Sequence, residues 1–121
     1  MSAQIVKLHS ANSTLILQTT PAIEILYWGE KLQADLDVNV LSVLKRAVPH
    51  GRLDADVPLT LSPEHGRGLF SSPGLEGHRN GKDWSPVFHF KSLTEEQNAL
   101  QIVCEDTIAG LQLQIELRLD P

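Results

Sequence analysis

The chain has 121 residues, a net charge of −5 at neutral pH and a single cysteine. This length fits one domain with a buried core. The acidic balance argues against nucleic acid and against an anionic membrane surface as partners, because both need a concentrated basic footprint.

Short alternating strands dominate the start of the chain. Apolar and polar residues alternate with period two over 4–9, 13–19 and 22–28, which predicts three β-strands. Gly29 is predicted to end the third strand in a tight turn at 29–31. The spacing of these strands is typical of an up-and-down meander.

The pattern changes after the third strand. Apolar residues recur at three- and four-residue spacing, which predicts a short helix over 35–47. Residues 50–80 then form a long stretch rich in proline and glycine, in which Leu59 and Leu61 predict one short strand. A loop this long in a compact domain is usually functional or contacts something outside the domain.

Regular structure returns at 87–91, 99–105 and 110–119, and the last two segments predict a hairpin. Cys104 lies in phase with Leu100 and Ile102, so we expect a buried structural thiol. The seven or eight short strands and one short helix predict an antiparallel β-sandwich, mainly all-β. Because so regular a strand lies beside the last residue, we expect a front piece of a longer protein.

Catalytic and metal-binding patterns are weak. The five histidines never occur at i, i+2 or i, i+4 spacing, so no metal site and no cofactor is expected; they are His9, His50, His65, His78 and His89. No nucleophile motif occurs. A loop-built enzyme site is the last-ranked alternative, and its members would be Asp54, Asp56, Glu64 and His65.

The two tryptophans offer a choice between packing and binding. Trp28 closes a predicted strand, and we expect it in the core, since tryptophan buries a large area. Trp84 lies among polar loop residues, and we expect it in the core or an interface. The alternative for Trp84 is stacking on the apolar face of a sugar at the rim of the sandwich.

Three motifs in order carry a family resemblance. They are Tyr27-Trp28-Gly29-x-x-Leu32, the loop 61–68 running into Pro73-Gly74-Leu75, and Asp106-x-x-x-Gly110-Leu111 in the closing hairpin. This order resembles the N-terminal domain of bacterial α-galactosidases of glycoside hydrolase family 36. The resemblance implies a supersandwich-like β-sandwich that precedes a (β/α)8 barrel, which carries both catalytic aspartates of a retaining mechanism. No catalytic residue is therefore assigned here.

The resemblance also implies partners. The domain would pack on the parent barrel and on neighbouring subunits of an oligomer, and would meet an α-galactoside only at the periphery of an active site. A cytoplasmic location is expected by default, because the sequence shows neither a signal-peptide pattern nor an apolar run of membrane-spanning length. The candidate substrate-binding residues are His65, Arg67, Phe70 and Trp84. Where many relatives carry Asp-Phe-Arg in this loop, the chain has Leu69-Phe70-Ser71, which removes the charged neighbours. The alternative function is an autonomous carbohydrate-binding module.

Overall fold

The computed structural model describes residues 4–37, 40–41, 60–69 and 71–121. Within these ranges the chain forms six strands: β1 (Ile5–His9), β2 (Ser13–Gln18), β3 (Glu24–Glu30), β4 (His89–Glu95), β5 (Ala99–Asp106) and β6 (Leu111–Arg118). The strands build two antiparallel sheets of three strands each, in the orders β1-β2-β3 and β4-β5-β6. The described residues contain no α-helix and only short 3-10 structure, including a turn at His65–Arg67.

The core lies between the two sheets. Each sheet contributes five buried residues to one cluster, namely Val6, Leu8, Leu15, Leu17 and Ile23 from the first sheet or its turns, and Phe88, Leu100, Ile102, Cys104 and Leu119 from the second. The predicted β-sandwich is therefore confirmed, and the described residues contain six strands, where seven or eight are predicted for the whole chain. The predicted meander and closing hairpin are both present.

A β-bulge in β3 changes which side chains share a face. Ile16 pairs with Tyr27 and Leu17 pairs with Ile25, so Leu26 is an extra residue without a partner. Because cross-strand partners lie on the same face, Ile25 and Tyr27 lie on opposite faces of the sheet. Simple alternation predicted them on one face, and that prediction is wrong because a bulge shifts the period by one residue.

The predicted tight turn at 29–31 is also wrong, because β3 continues through Gly29, which pairs with Thr14. A Cβ atom at Gly29 would lie 2.9 Å from the hydroxyl oxygen of Tyr27. That hydroxyl donates a hydrogen bond to the carbonyl oxygen of Glu30 at 2.8 Å. The glycine therefore makes room for the tyrosine instead of ending the strand.

The segment after β3 folds back over the outer face of the first sheet. The backbone N–H of Leu32 donates to Thr14 Oγ1 at 3.0 Å, and Lys7 Nζ donates to the carbonyl oxygen of Leu36 at 3.1 Å. This cover explains why β2 is buried on both faces. Asp35 lies in a turn, and most of the predicted helix at 35–47 lies outside the described residues, as does Leu59.

The second sheet follows the predicted alternation closely. β4 begins at His89, two residues later than predicted, and is an edge strand. In the hairpin, Cys104 pairs with Leu113 and Ile102 pairs with Ile115. The odd-numbered residues of β6 are partly buried and the even-numbered ones are exposed, which confirms the predicted faces.

Candidate functional site

The loop 61–68 is fixed to the start of β4 by a buried ion pair. Glu64 Oε2 lies 2.5 Å from Nε of Arg67, and both side chains are largely buried. Glu64 Oε1 accepts the backbone N–H of Phe88 at 2.9 Å, and Arg67 Nη2 donates to the carbonyl oxygen of Phe88 at 2.7 Å. Both backbone polar groups of Phe88 are thus satisfied by one ion pair, which we call the Glu64–Arg67 brace.

The local sequence allows the loop to approach β4 closely. Glu64 and Arg67 are three residues apart, so one turn of 3-10 helix at His65–Arg67 brings their side chains together. A Cβ atom at Gly66 would overlap the side chain of Val87, so only glycine fits there. Gly68 then ends the turn with a φ of 92°, in the left-handed region that glycine favours.

Asp106 organises the neighbouring hairpin. Its Oδ1 accepts the backbone N–H groups of Ile108 and Ala109 at 2.9 and 3.0 Å, and its Oδ2 accepts that of Val87 at 3.0 Å. These N–H donors, with Ala109 and Val87 contributing most, lower the pKa of the Asp106 carboxyl below its ordinary value. The carboxylate therefore joins the β5–β6 turn to the segment leading into β4.

The buried thiol predicted at Cys104 is confirmed. The residue is 2% exposed, and burial raises the pKa of its thiol, with a smaller contribution in the same direction from the charge of Glu64. Both effects disfavour the thiolate that a nucleophile requires. Cys104 is therefore part of the core and has no catalytic environment.

Two of the four candidate binding residues line one surface cleft. The cleft has a volume of about 560 Å³, and its lining residues are His65, Gly68, Leu69, Glu76, Gly77, His78 and Trp84. Nδ1 of His65 lies 2.8 Å from the carbonyl oxygen of Leu69, which holds the imidazole against the loop. The Trp84 side chain is 63% exposed, so it lies outside the core, and its predicted place in an interface stays a prediction.

The third candidate, Arg67, does not contribute to this lining. Arg67 is turned into the brace, where its guanidinium is engaged by Glu64 and Phe88, and Phe70 lies outside the described residues. Trp28, also predicted in the core, is 72% exposed. Its partner Leu15 faces the core, so Trp28 projects from the edge strand β3 on that same side.

The loop-built enzyme site is not assembled by the described residues. Asp54 and Asp56 lie outside them, and Glu64 is committed to the brace. The part of the chain that the structure describes holds no group of three or more acidic, histidine or cysteine side chains suited to a metal ion.

No helix among the described residues has the length and apolar character to span a membrane.

Sequence reasoning missed the brace and the Asp106 contacts. The sequence presents Glu64 as a candidate catalytic carboxylate and Arg67 as a candidate sugar ligand. For Asp106 a signal exists, because aspartate before a short turn often accepts the backbone N–H two residues further on. No local signal exists for the contacts to Val87 and Phe88, which are distant in sequence.

Comparison with known proteins assigns this β-sandwich to a family. Residues 21–121 match the family model described as the glycosyl hydrolase family 36 N-terminal domain. The chain belongs to this family. It is 46% identical over all 121 residues to an alpha-galactosidase of Escherichia coli and spans 17% of the length of that protein. No solved structure matches the chain.

Proposed function

We propose that the chain is the non-catalytic N-terminal domain of an α-galactosidase that acts on substrates such as melibiose or raffinose. The observation that carries the proposal is the match of the whole chain to only 17% of an alpha-galactosidase. A retaining glycosidase needs two carboxyl groups about 5–5.5 Å apart across the scissile bond. The buried carboxylates described above serve structural contacts, so the proposal assigns catalysis to the barrel of the parent enzyme.

Exposed apolar side chains support a docking role for the domain. Trp28 is 72% exposed and Ile25, three residues before it on β3, is also exposed. At the other sheet, Ile108 at the tip of the β5–β6 turn is 93% exposed. Exposed apolar side chains that lie together are typical of surfaces that meet a partner, and Ile25 and Trp28 lie on the same side of β3. In this proposal they contact the parent barrel and neighbouring subunits of a cytoplasmic oligomer.

Hydrolysis of a chromogenic α-galactoside tests the assignment of catalysis. The purified chain is expected to release no nitrophenol from p-nitrophenyl α-galactoside, whereas the parent enzyme releases it under the same conditions. The matched control is the chain heated past its unfolding transition, which sets the background. Turnover above that background by the folded chain contradicts the proposal.

A second candidate function is carbohydrate binding in the cleft of about 560 Å³. The observation that favours it is the exposed indole of Trp84 beside His65 and Glu76, because an aromatic face and polar groups together suit a sugar ring. His65 and Trp84 are its proposed ligands. Arg67 could bind sugar only if it left the brace, and Phe70 stays a candidate.

Tryptophan fluorescence tests this candidate, since the chain has two tryptophans. In a Trp28→Phe variant the emission reports Trp84 alone, and titration with galactose or raffinose is expected to shift it to saturation. A Trp84→Phe variant, which leaves Trp28 as the reporter, is expected to show no shift. An unchanged Trp28→Phe spectrum at millimolar sugar removes this candidate and leaves the docking role intact.

A further inference from the structure

Two histidines line the cleft that contains Trp84, which we call the Trp84 cleft. In the first of them, His65, Nδ1 lies 2.8 Å from the carbonyl oxygen of Leu69, and a carbonyl oxygen can only accept a hydrogen bond. Nδ1 of His65 therefore carries a proton, and in the neutral ring Nε2 keeps its lone pair. For a ligand in the cleft, His65 is thus an acceptor through Nε2.

His78 has the opposite arrangement. The chain reverses direction at Asn80 and Gly81, which both have positive φ, and the flanking Arg79 and Lys82 exchange backbone hydrogen bonds. The backbone N–H of Gly81 donates to Nδ1 of His78 at 3.0 Å, so this ring nitrogen carries no proton. The imidazole is then neutral, with its proton on Nε2. For a ligand, His78 is thus a donor through its Nε2–H group.

The charge of the Trp84 cleft is negative. Among the described residues, its lining contains the exposed carboxylate of Glu76 and no lysine or arginine. Arg79 is close to Glu76 in sequence, but its Nη1 donates to the carbonyl oxygen of Ala109 and lies 3.9 Å from Oδ2 of Asp83. These contacts hold the guanidinium at the β5–β6 turn. An anionic ligand would therefore meet a carboxylate in the cleft with no cation to offset the repulsion.

The polar side chains of the cleft are suited to a ring of hydroxyl groups better than to a metal ion. His65, Glu76 and His78 are all residue types that bind metals, yet no three such side chains in the described part of the chain form a group suited to one. They therefore do not converge on a single point. A sugar presents hydroxyl groups around its rim, each able to donate and to accept, and the exposed indole of Trp84 suits its apolar face.

We propose that the Trp84 cleft takes an uncharged sugar and excludes sugars that carry a phosphate or carboxylate group. Glu76 and Nε2 of His65 accept hydrogen bonds from ligand hydroxyl groups, and Nε2–H of His78 donates to a hydroxyl oxygen. Glu76 determines the specificity, because its charge repels an anionic ligand whereas its oxygens accept from a neutral one. This inference rests on the carbohydrate-binding candidate proposed above and names the class of sugar that it takes.

Fluorescence titration of the Trp28→Phe variant, in which only Trp84 emits, tests the class of ligand. Galactose is expected to shift the emission to saturation, whereas galactose 6-phosphate and galacturonate are expected to bind at least about tenfold more weakly. Adding Glu76→Gln is expected to remove most of this difference, since the amide keeps an acceptor oxygen but loses the charge. Glu96→Gln, which removes an exposed carboxylate from the β4–β5 turn, is the matched control and leaves the difference unchanged.

Long-range proton–nitrogen NMR correlation of the imidazole rings tests the donor and acceptor assignment without any sugar. His65 is expected to be protonated at Nδ1 and His78 at Nε2, with the signals assigned by His65→Gln and His78→Gln. Reversed tautomers overturn the proposal. Equal affinity for galactose and galactose 6-phosphate also overturns it, but leaves carbohydrate binding in place. If the tautomers are as expected and none of the three sugars binds, the carbohydrate-binding candidate fails and this proposal fails with it.

Discussion

The carboxylate of Glu64 accepts the backbone N–H of Phe88 at 2.9 Å, across 24 residues of sequence. This contact holds the loop 61–68 against the start of β4. Arg67 adds a second contact, because its guanidinium donates to the carbonyl oxygen of Phe88. His65 lies between the two brace residues in sequence. The brace therefore fixes the position of His65, which lines the same cleft as Trp84.

Glu64→Gln tests the energetic role of the brace. We expect it to lower the free energy of unfolding by about 3 kcal/mol, because the buried guanidinium of Arg67 loses its counter-charge. Urea unfolding followed by circular dichroism measures the change. Adding Arg67→Met to Glu64→Gln is expected to cost less than the sum of the single changes, because it removes the unpaired charge.

An exposed ion pair supplies the control for the brace. Glu116 Oε1 lies 3.0 Å from Arg118 Nη2 on the outer face of β6, where both side chains are in water. Glu116→Gln is expected to change the free energy of unfolding by about 0.5 kcal/mol or less. Equal costs for Glu64→Gln and Glu116→Gln would show that the brace does not stabilise the fold.

Acid should weaken the fold through Asp106. The native pKa of this carboxyl lies below its value in the unfolded chain, so the unfolded state binds the proton more readily. The stabilisation is fully present above the unfolded pKa and is lost as the pH falls through the lower native pKa. Urea midpoints measured from neutral to strongly acidic pH are expected to show this loss in the wild type.

Asp106→Asn distinguishes the contribution of this carboxyl group to stability from that of the other carboxyl groups. The amide replaces one acceptor oxygen with a donor, so the N–H of Val87 or those of the turn lose their partner, at a cost of about 1–3 kcal/mol at neutral pH. The variant is also expected to lose less stability than the wild type on acidification. Asp120→Asn, at an exposed residue, is the control. Parallel pH profiles for wild type and Asp106→Asn would rule out the role of this carboxyl.

Cys104 should be unreactive in the folded chain. Burial and the raised pKa of the thiol both limit its attack on a disulfide reagent. We expect no reaction with Ellman's reagent under native conditions and one equivalent in concentrated urea. Rapid native labelling of the wild type would mean that the core around β5 opens to water.

The face assignment of β6 can be tested with one buried and one exposed aspartate. Leu113→Asp places a charge against Cys104 in the partly buried stripe and is expected to unfold the chain or cost several kcal/mol, on the order of 3. Gln112→Asp, next to it on the outer face, is expected to change stability by about 0.5 kcal/mol or less. Similar melting temperatures for the two variants would contradict the register.

The sequence predicts this fold well where local periodicity decides the structure. The β5–β6 hairpin alternates without interruption, so its faces, its partner strand and the burial of Cys104 follow from period two. In β3 the bulge at Leu26 breaks that period, and no residue type announces it. The bulge places Trp28 on the core side of the sheet, and its exposure follows from its place on an edge strand.

The candidate site was harder to predict, because long-range contacts determine it. The proline- and glycine-rich loop was expected to be functional, and His65 and Trp84 do share a cleft. Arg67 was expected to face a ligand, but its guanidinium satisfies the backbone of Phe88, 21 residues away. The charge of Arg67 and its place in a loop do not distinguish ligand binding from a structural contact, because both roles use the N–H donors of the guanidinium group.

A chimeric enzyme tests the central claim most directly. The segment of an α-galactosidase that corresponds to this chain would be replaced by these 121 residues, with the rest of the enzyme unchanged. The account predicts that the chimera hydrolyses p-nitrophenyl α-galactoside. The isolated chain and a version of the same enzyme that lacks its barrel are both expected to be inactive. Hydrolysis by the isolated chain, or a folded chimera without activity, would contradict the account.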